Sequence, residues 1–304
     1  MAKAGSCSAS VSSPVTFSNV DPFSGNTYDT SATLSVTCSG YTLNPLLALC
    51  YNVGSGTGGT NASNERLLAG PGGGTFRFQV FQDAARLVPW GSTSNGLLGG
   101  VPLLSLTGNG STSLPMYFRL YTAQGASLPG TYSSVFSGAD SQLNYGTVLN
   151  LIGGCGGLLS FLTSNTSAPF TVQTVIPNTC TLNVTQNVAF GAVSTLSANV
   201  DSTGNFTVQC TNGTAFQTGL SAGNGAGATT AVRLLTGPGS ATIAYALYQD
   251  AARTVNWGNA LGVDTKSGTG DGTAQSNTVY ARVPSQASNV AGVYSDTVIV
   301  TVTY

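Results

Sequence analysis

The sequence predicts an all-β protein built as two β-sandwich domains in tandem, and three observations carry that prediction. The first is a duplication. Gln82-Asp83-Ala84-Ala85-Arg86, followed by Trp90-Gly91, returns as Gln249-Asp250-Ala251-Ala252-Arg253, followed by Trp257-Gly258. Upstream and at the same spacing, Arg66-Leu67-Leu68-Ala69-Gly70-Pro71-Gly72 pairs with Arg233-Leu234-Leu235-Thr236-Gly237-Pro238-Gly239. A register shared over that distance marks two homologous modules. The second observation is composition: in 304 residues Gly, Ser, Thr, Asn and Val dominate and apolar runs are short, which suits short strands joined by turns. The third is alternation of apolar and polar residues with a period of two, the mark of half-buried antiparallel strands.

Module one opens at Cys7 and runs through Val15-Thr16-Phe17, whose counterpart is Val188-Ala189-Phe190. Thr33 to Cys38 alternates, as does Asn205 to Cys210. Ahead of each Gln-Asp-Ala-Ala-Arg lies a strand-like run, Phe76 to Phe81 in one copy and Ile243 to Tyr248 in the other. Tyr117-Phe118-Arg119 matches Tyr280-Ala281-Arg282, and Gly130-Thr131-Tyr132-Ser133 matches Gly292-Val293-Tyr294-Ser295. Glycine-rich turns separate these runs, as in a β-sandwich. Module one then adds an insertion and a further strand-like run, Pro169 to Ile176, whereas module two stops at Thr297–Tyr304. The expected domains are therefore 1–176 and 177–304, the second one strand short. A sandwich lacking a strand exposes an apolar groove and unpaired edge amides, and it invites a strand from another chain.

Several function classes fall away. With nine Lys/Arg against ten Asp/Glu the net charge is −1, which leaves no electrostatic footprint for nucleic acid. No uninterrupted apolar stretch approaches the roughly 18 residues of a membrane span. The opening Met1-Ala2-Lys3-Ala4-Gly5-Ser6 lacks the apolar core of a signal peptide and reads as the start of a mature exported chain. Six cysteines without a C-x-x-C spacing, in a chain without histidine, argue against a metal site. Cys7 and Cys38 bracket about the same length as Cys180 and Cys210 at matching module positions, so each pair is assigned within its module. Cys50 is then left for Cys155, and disulfides imply an oxidising compartment.

Cys180, Phe190-Gly191, Cys210, Arg233-Leu234, Tyr245-Ala246-Leu247-Tyr248, Trp257-Gly258, Tyr280-Ala281-Arg282-Val283-Pro284 and Gly292 to Val298 together closely resemble the spore coat U domain. That domain builds the pilins of archaic, Csu-type chaperone–usher pili. The resemblance covers all of module two and most of module one, and implies immunoglobulin-like sandwiches. In this family a pilin carries an N-terminal donor strand, while two-domain members are similar to the tip adhesin. Only six residues precede Cys7, too few and too polar to donate a strand, which implies a place at the end of a fibre. The implied partners are a periplasmic pilus chaperone, an outer-membrane usher and a neighbouring pilin that donates a strand to module two. The implied route runs through the periplasm to the extracellular pilus tip, with no cofactor. The expected groove walls are Leu182, Val184 and Phe190 on the first strand and Val298, Val300 and Val302 on the last.

The copies differ at three uncharged, apolar segments confined to module one: Leu43 to Cys50, Gly96 to Leu104, and Val148 to Leu162. After Trp257-Gly258 the second copy instead reads Asp264 to Asp271, a solvated loop. Gly or Pro breaks each apolar segment, which spoils a regular strand, and a Cys50–Cys155 bridge would tie two of them together. They are expected to be exposed fingertips, because contiguous exposed apolar patches mark interaction sites. The surface-binding residues would be Leu46, Leu47, Leu49, Leu97, Leu98, Val101, Leu103, Leu104, Leu149, Leu151, Ile152, Leu158, Leu159 and Phe161. Each such side chain, fully buried against a partner, contributes about 1.5–3 kcal/mol. The expected function is attachment to hydrophobic surfaces and biofilm formation by a pilus tip. A tip lectin binding a host glycan and a structural pilus or spore-coat subunit are the alternatives.

An enzyme is not expected. Without histidine, nucleophilic catalysis needs a Ser–Lys or carboxylate pair, and the only lysines are Lys3 and Lys266. The recurring Asp83/Arg86 and Asp250/Arg253 read as structural turns with an ion pair. Asp264 and Asp271 alone fall short of a calcium site. Trp90 and Trp257 read as sandwich packing residues.

Overall fold

The computed structural model describes residues 5–93, 100–122, 128–147, 154–157, 162–287 and 290–304. The chain divides into two compact units, residues 1–176 and 177–304. In unit 1 the strands are β1 (Ser6–Val11), β2 (Val15–Phe17), β3 (Thr27–Ser39), β4 (Leu46–Val53), β5 (Arg66–Ala69), β6 (Thr75–Phe81), β7 (Leu103–Thr107), β8 (Gly110–Tyr121), β9 (Gly130–Phe136) and β10 (Ser141–Thr147). A one-turn helix, α1 (Gly154–Gly157), precedes β11 (Ser164–Ser167) and β12 (Phe170–Ile176). One sheet has the order β1-β3-β8-β6-β5-β9-β12-β2 and the other β11-β10-β4-β7. Alternation sets the faces: in β3, Ala32, Leu34, Val36 and Cys38 are buried while Thr33, Ser35 and Thr37 are exposed.

Unit 2 repeats this plan with β13 (Cys180–Gln186), β14 (Val200–Cys210), β15 (Ala215–Leu220), β16 (Arg233–Thr236), β17 (Thr242–Tyr248), β18 (Lys266–Thr269), β19 (Ala274–Val283) and β20 (Val300–Thr303). Its sheets run β13-β14-β19-β17-β16 and β18-β15-β20. Strands β13 to β20 stand where β1, β3, β4, β5, β6, β7, β8 and β10 stand in unit 1. Among the described residues, nothing in unit 2 corresponds to β11 and β12. The supposedly solvated loop at 264–271 contains β18, which pairs with β15 from Ala215↔Thr269 to Thr218↔Lys266. Cross-strand hydrogen bonding outweighs its glycine-rich, polar sequence.

The duplicated motif residues brace each sandwich. Trp90 and Trp257 are fully buried, and their Nε1 groups donate to the Tyr51 and Thr218 carbonyls at 2.8 and 2.9 Å. Arg66 is also fully buried and donates to the carbonyls of Gly54, Val53 and Trp90 at 2.6, 2.6 and 2.7 Å. Arg233 does the same with Ser221, Leu220 and Trp257 at 2.8, 2.9 and 2.8 Å. Desolvation pushes the Arg66 guanidinium down to about 9, and Arg233 is lowered for the same first reason. These carbonyls would otherwise be buried acceptors without donors, so the arginine is a structural brace. The disulfides are Cys7–Cys38, Cys50–Cys155 and Cys180–Cys210, the pairs that the duplicated spacing selects.

The Gln-Asp-Ala-Ala-Arg turns differ from expectation. Asp83 does not pair with Arg86. Its carboxylate accepts the backbone N–H groups of Leu87 and Val88 at 3.1 and 2.7 Å. Arg86, at φ 58°, turns instead to Asp29 at 3.3 Å. Asp250 likewise accepts the N–H groups of Thr254 and Val255, and Arg253 pairs with Asp201 at 3.2 Å. A carboxylate that satisfies local turn amides leaves the arginine free to reach a neighbouring strand.

The Leu46–Cys50 segment also departs from the expected fingertip. It forms β4, in which Leu47 and Leu49 are fully buried and Leu46 is half-buried. Strands β10 and β7 flank it. The inward face meets the core, while the outer face is covered by Cys155, bonded to Cys50, and by Thr93, whose N–H and hydroxyl donate to Asn52 Oδ1 at 2.8 Å each. A strand covered on both faces loses its alternation and reads as an apolar run. Leu103 and Leu104 are likewise half-buried in β7, paired with Cys50 and Leu49, and Val101 just ahead is half-buried. Leu97, Leu98, Leu149, Leu151, Ile152, Leu158, Leu159 and Phe161 lie outside the described residues.

Candidate functional site

Strand β12 shows what unit 2 lacks. It pairs antiparallel with β9 from Phe170↔Phe136 to Ile176↔Gly130, and parallel with β2 from Val172↔Val15 to Thr174↔Phe17. Unit 1 therefore closes its own sandwich with this run. Phe170, Val172, Thr174 and Ile176 face inward and are buried, while Val175 is 57% exposed. Phe170 stacks on Phe136 at 4.6 Å and meets Phe118 edge-on at 6.3 Å. The buried Thr174 hydroxyl donates to the Phe17 carbonyl at 3.0 Å.

Among the described residues of unit 2 the flanks of that strand are present and the strand is not. Residues 292–298 take the place of β9. Tyr294 hydroxyl donates to the Val290 carbonyl at 2.7 Å, as Tyr132 does to Leu128 at 2.8 Å. Ser295 bridges Thr236 where Ser133 pairs with Ala69. Residues 188–190 take the place of β2. Between the two flanks lies a cleft of ≈ 1030 Å³, lined by Val184, Val188, Phe190, Leu196, Val293 and Val298 among others. Val293 is 86% exposed at its edge and Val184 50%.

Of the six residues expected on the groove walls, Val184, Phe190, Val298 and Val300 line the cleft. Leu182 and Val302 pack against the unit 2 core instead. The terminal run is a strand only at Val300–Thr303, where it pairs with β15 in the second sheet. The cleft wall proper is 292–298, because the chain crosses from one sheet to the other near Ile299. Sequence reading did not single out Leu196, Tyr245 and Asp296, all on the lining. A residue-by-residue comparison of the copies would have found the last two, which stand where unit 1 has Phe78 and Ser134.

Those two residues place a hydrogen-bonded phenol and carboxylate on the cleft lining. Tyr245 hydroxyl donates to Asp296 Oδ2 at 2.7 Å, and Asp296 Oδ1 accepts the N–H groups of Asn224 and Thr297, each at 2.7 Å. Burial, and then the adjoining carboxylate, hold the Tyr245 phenol above its ordinary range. Elsewhere among the described residues no three His, Cys, Asp or Glu side chains come together as a metal site would require.

At the other candidate surface, in unit 1, Leu43 is 89% exposed at the turn between β3 and β4. Cys155, bonded to Cys50, pins α1 against β4. The two apolar runs on either side of α1, and the run before Gly100, fall outside the described residues.

No curated protein matches this sequence. Among solved structures, the chaperone–tip adhesion subunit pre-assembly complex CsuC–CsuE of Acinetobacter baumannii is similar at 19% identity and a TM-score of 0.54, covering 98% of this chain and 100% of that one. The CupB6 tip adhesin of Pseudomonas aeruginosa is similar at 13% identity and a TM-score of 0.41, covering 97% and 93%. The first likeness speaks for the fold, two immunoglobulin-like sandwiches. The profile of the spore coat protein U domain matches residues 1–138 and 166–301. With both sandwiches matched by that one domain, the chain belongs to the spore coat protein U domain family.

Proposed function

We propose that this chain is a pilus-tip adhesin of the chaperone–usher kind: unit 2 accepts a donor strand and anchors the protein to a fibre, and unit 1 meets the target surface through apolar loops. The observation that carries this reading is the cleft of unit 2, open at the place that β12 fills in unit 1. Flanks at 188–190 and 292–298 that, among the described residues, have no strand laid between them, with apolar side chains lining the gap, suit an extended segment that supplies both main-chain hydrogen bonds and alternating side chains. A periplasmic chaperone would hold this site until a neighbouring pilin replaces it at the usher. The disulfides agree with passage through an oxidising periplasm to the cell exterior. The two-domain similarity to a tip adhesion subunit favours adhesin over a shaft or spore-coat subunit.

For the surface itself, the reading is attachment to hydrophobic material, hence biofilm formation, by Leu43 together with the apolar runs around Leu98, Ile152 and Leu159. The burial of Leu47 and Leu49 removes them from the binding set. The test is adsorption of the full chain to bare hydrophobic and hydrophilic surfaces and to a glycan array, for the natural protein and for Leu98→Asp/Ile152→Asp/Leu159→Asp. Binding to the hydrophobic surface that disappears in the triple variant supports the reading. Retained attachment refutes it, and selective glycan binding that survives the change makes the protein a lectin.

A further inference from the structure

Between the two units, one pair of equivalent inward side chains changes from apolar and neutral to polar and charged. In unit 1 the inward-facing Ser134 on β9 accepts the Gly58 N–H at 3.1 Å. Phe78, on β6 two strands away in the same sheet, is an apolar ring in edge contact with Phe136. The filling strand presents Val172 directly opposite Ser134, an apolar side chain against an already satisfied hydroxyl. In unit 2 both partners have changed together. Asp296 replaces Ser134, Tyr245 replaces Phe78, and the two are hydrogen-bonded to each other at 2.7 Å. The role of taking a loop N–H is kept, now from Asn224. What has been added is a carboxylate aimed into the cleft.

We propose that Asp296, held by Tyr245, is a specificity determinant for the strand that closes unit 2, and that this strand carries a hydroxyl or other hydrogen-bond-donating side chain where β12 carries Val172. The inference rests on the strand-acceptor reading of unit 2. The register follows from unit 1. A donor lying antiparallel to 292–298 and parallel to 188–190 places successive inward residues against Val298, Asp296, Tyr294 and Gly292. Directly opposed side chains on one face of an antiparallel pair have Cβ atoms about 4.5–5.5 Å apart, within reach of one another.

The chemistry decides which side chain fits. Asp296 is only partly buried in the cleft; a strand laid across it closes the carboxylate off from water. Enclosing an ionised carboxylate is unfavourable unless its oxygens find donors. Oδ1 accepts two N–H groups, whereas among the described residues Oδ2 accepts the Tyr245 hydroxyl alone. A valine opposite it would displace water from Oδ2 and return nothing. Threonine has nearly the same shape and offers an O–H, and a hydrogen bond to a charged acceptor is among the stronger ones. At the next inward position toward Val298 the cleft is roomier than in unit 1, since Phe136 and Phe118 are replaced by Val298 and Ala281. The donor is therefore apolar and bulky there, and polar but small at Asp296.

The probes are two labelled peptides: residues 164–176 of this chain, and the same peptide with Val172→Thr. Each is titrated against the full-length protein by fluorescence anisotropy, and against the Tyr245→Phe and Asp296→Ser/Tyr245→Phe variants. The threonine peptide is expected to bind the natural protein about 10- to 100-fold more tightly than the valine peptide. That preference should persist in Tyr245→Phe, which keeps the carboxylate, and vanish or reverse in the double variant, which restores the side chains of unit 1. Equal binding of both peptides to the natural protein overturns the role of Asp296 while leaving the acceptor reading intact. Loss of the preference in Tyr245→Phe alone also overturns it. Binding of neither peptide overturns the acceptor reading and this inference together.

Discussion

Strand β12 makes unit 1 self-sufficient, and truncating its anchor tests that directly. Phe170 is buried, stacked on Phe136 at 4.6 Å and edge-on to Phe118 at 6.3 Å. Phe170→Ala removes an aromatic ring from this cluster and leaves a cavity, a change that typically costs about 3–5 kcal/mol. Unit 1 spans residues 1–176, and for domains of that size each kcal/mol shifts Tm by about 2–4 °C, so the expected drop is roughly 6–20 °C. Val175, on the same strand but facing outward and 57% exposed, supplies the control. Val175→Ala should stay within about 0.5 kcal/mol of the natural protein. Differential scanning calorimetry of the full chain resolves the question, provided the two units are fitted as separate transitions. Only the unit 1 transition should move. Equal shifts for the two substitutions, or a shift in the unit 2 transition with Phe170→Ala, would mean that β12 does not occupy the unit 1 groove in this register, and the comparison with the open cleft would collapse with it.

Three further outcomes are expected. Replacing Cys50 and Cys155 together with Ser should lower unit 1 stability by about 2–5 kcal/mol, since that bridge spans 105 residues; chemical denaturation measures it, and an unchanged midpoint would refute a structural role. Arg66→Met should destabilise unit 1 by more than about 3 kcal/mol, because three buried carbonyls lose their donor at about 1–3 kcal/mol each, and Arg233→Met should do the same to unit 2; urea melts showing near-neutral effects would remove the brace from the account. Acid should weaken both units. The Arg119 and Arg282 side chains, hydrogen-bonded to Asp29 and Asp201, hold those carboxyls below their ordinary range. A depressed folded-state pKa contributes stability above the unfolded value near 3.8 and loses it as pH falls through the folded one. With these groups partly exposed the effect is about 0.2–1 kcal/mol per pair, and Asp29→Asn should flatten the unit 1 acid limb in a pH series of melts.

Much of the candidate site was legible in the chain. The duplication located both sandwiches, and the strand-like run Phe170–Ile176 stood out as a difference between the copies. Val184, Phe190, Val298 and Val300 were readable as lining because inward residues alternate. Leu182 and Val302 were not separable from them by the same rule, since alternation gives a residue's face but not whether a neighbour already covers it. Tyr245 and Asp296 were hidden for another reason. A tyrosine within a strand and an aspartate in an irregular run carry no signal singly; folding sets the phenol 2.7 Å from the carboxylate.

By itself the sequence determined the two units, the alternating strands of their larger sheets and the pairing into disulfides. These depend on period, spacing and repetition, which are properties of the chain read along its length. The tertiary structure decided which apolar segments lie inside. Leu47 and Leu49 sit in a strand covered on both faces, and such a strand reads like an exposed apolar loop because neither alternates. It also decided what Asp83 and Arg86 do. Adjacent charges suggest a pair, yet the turn offers the carboxylate two backbone amides at closer reach, and the arginine finds Asp29 on a strand far away in sequence. Both outcomes depend on what lies across space from a residue, and only the packed sandwich fixes that.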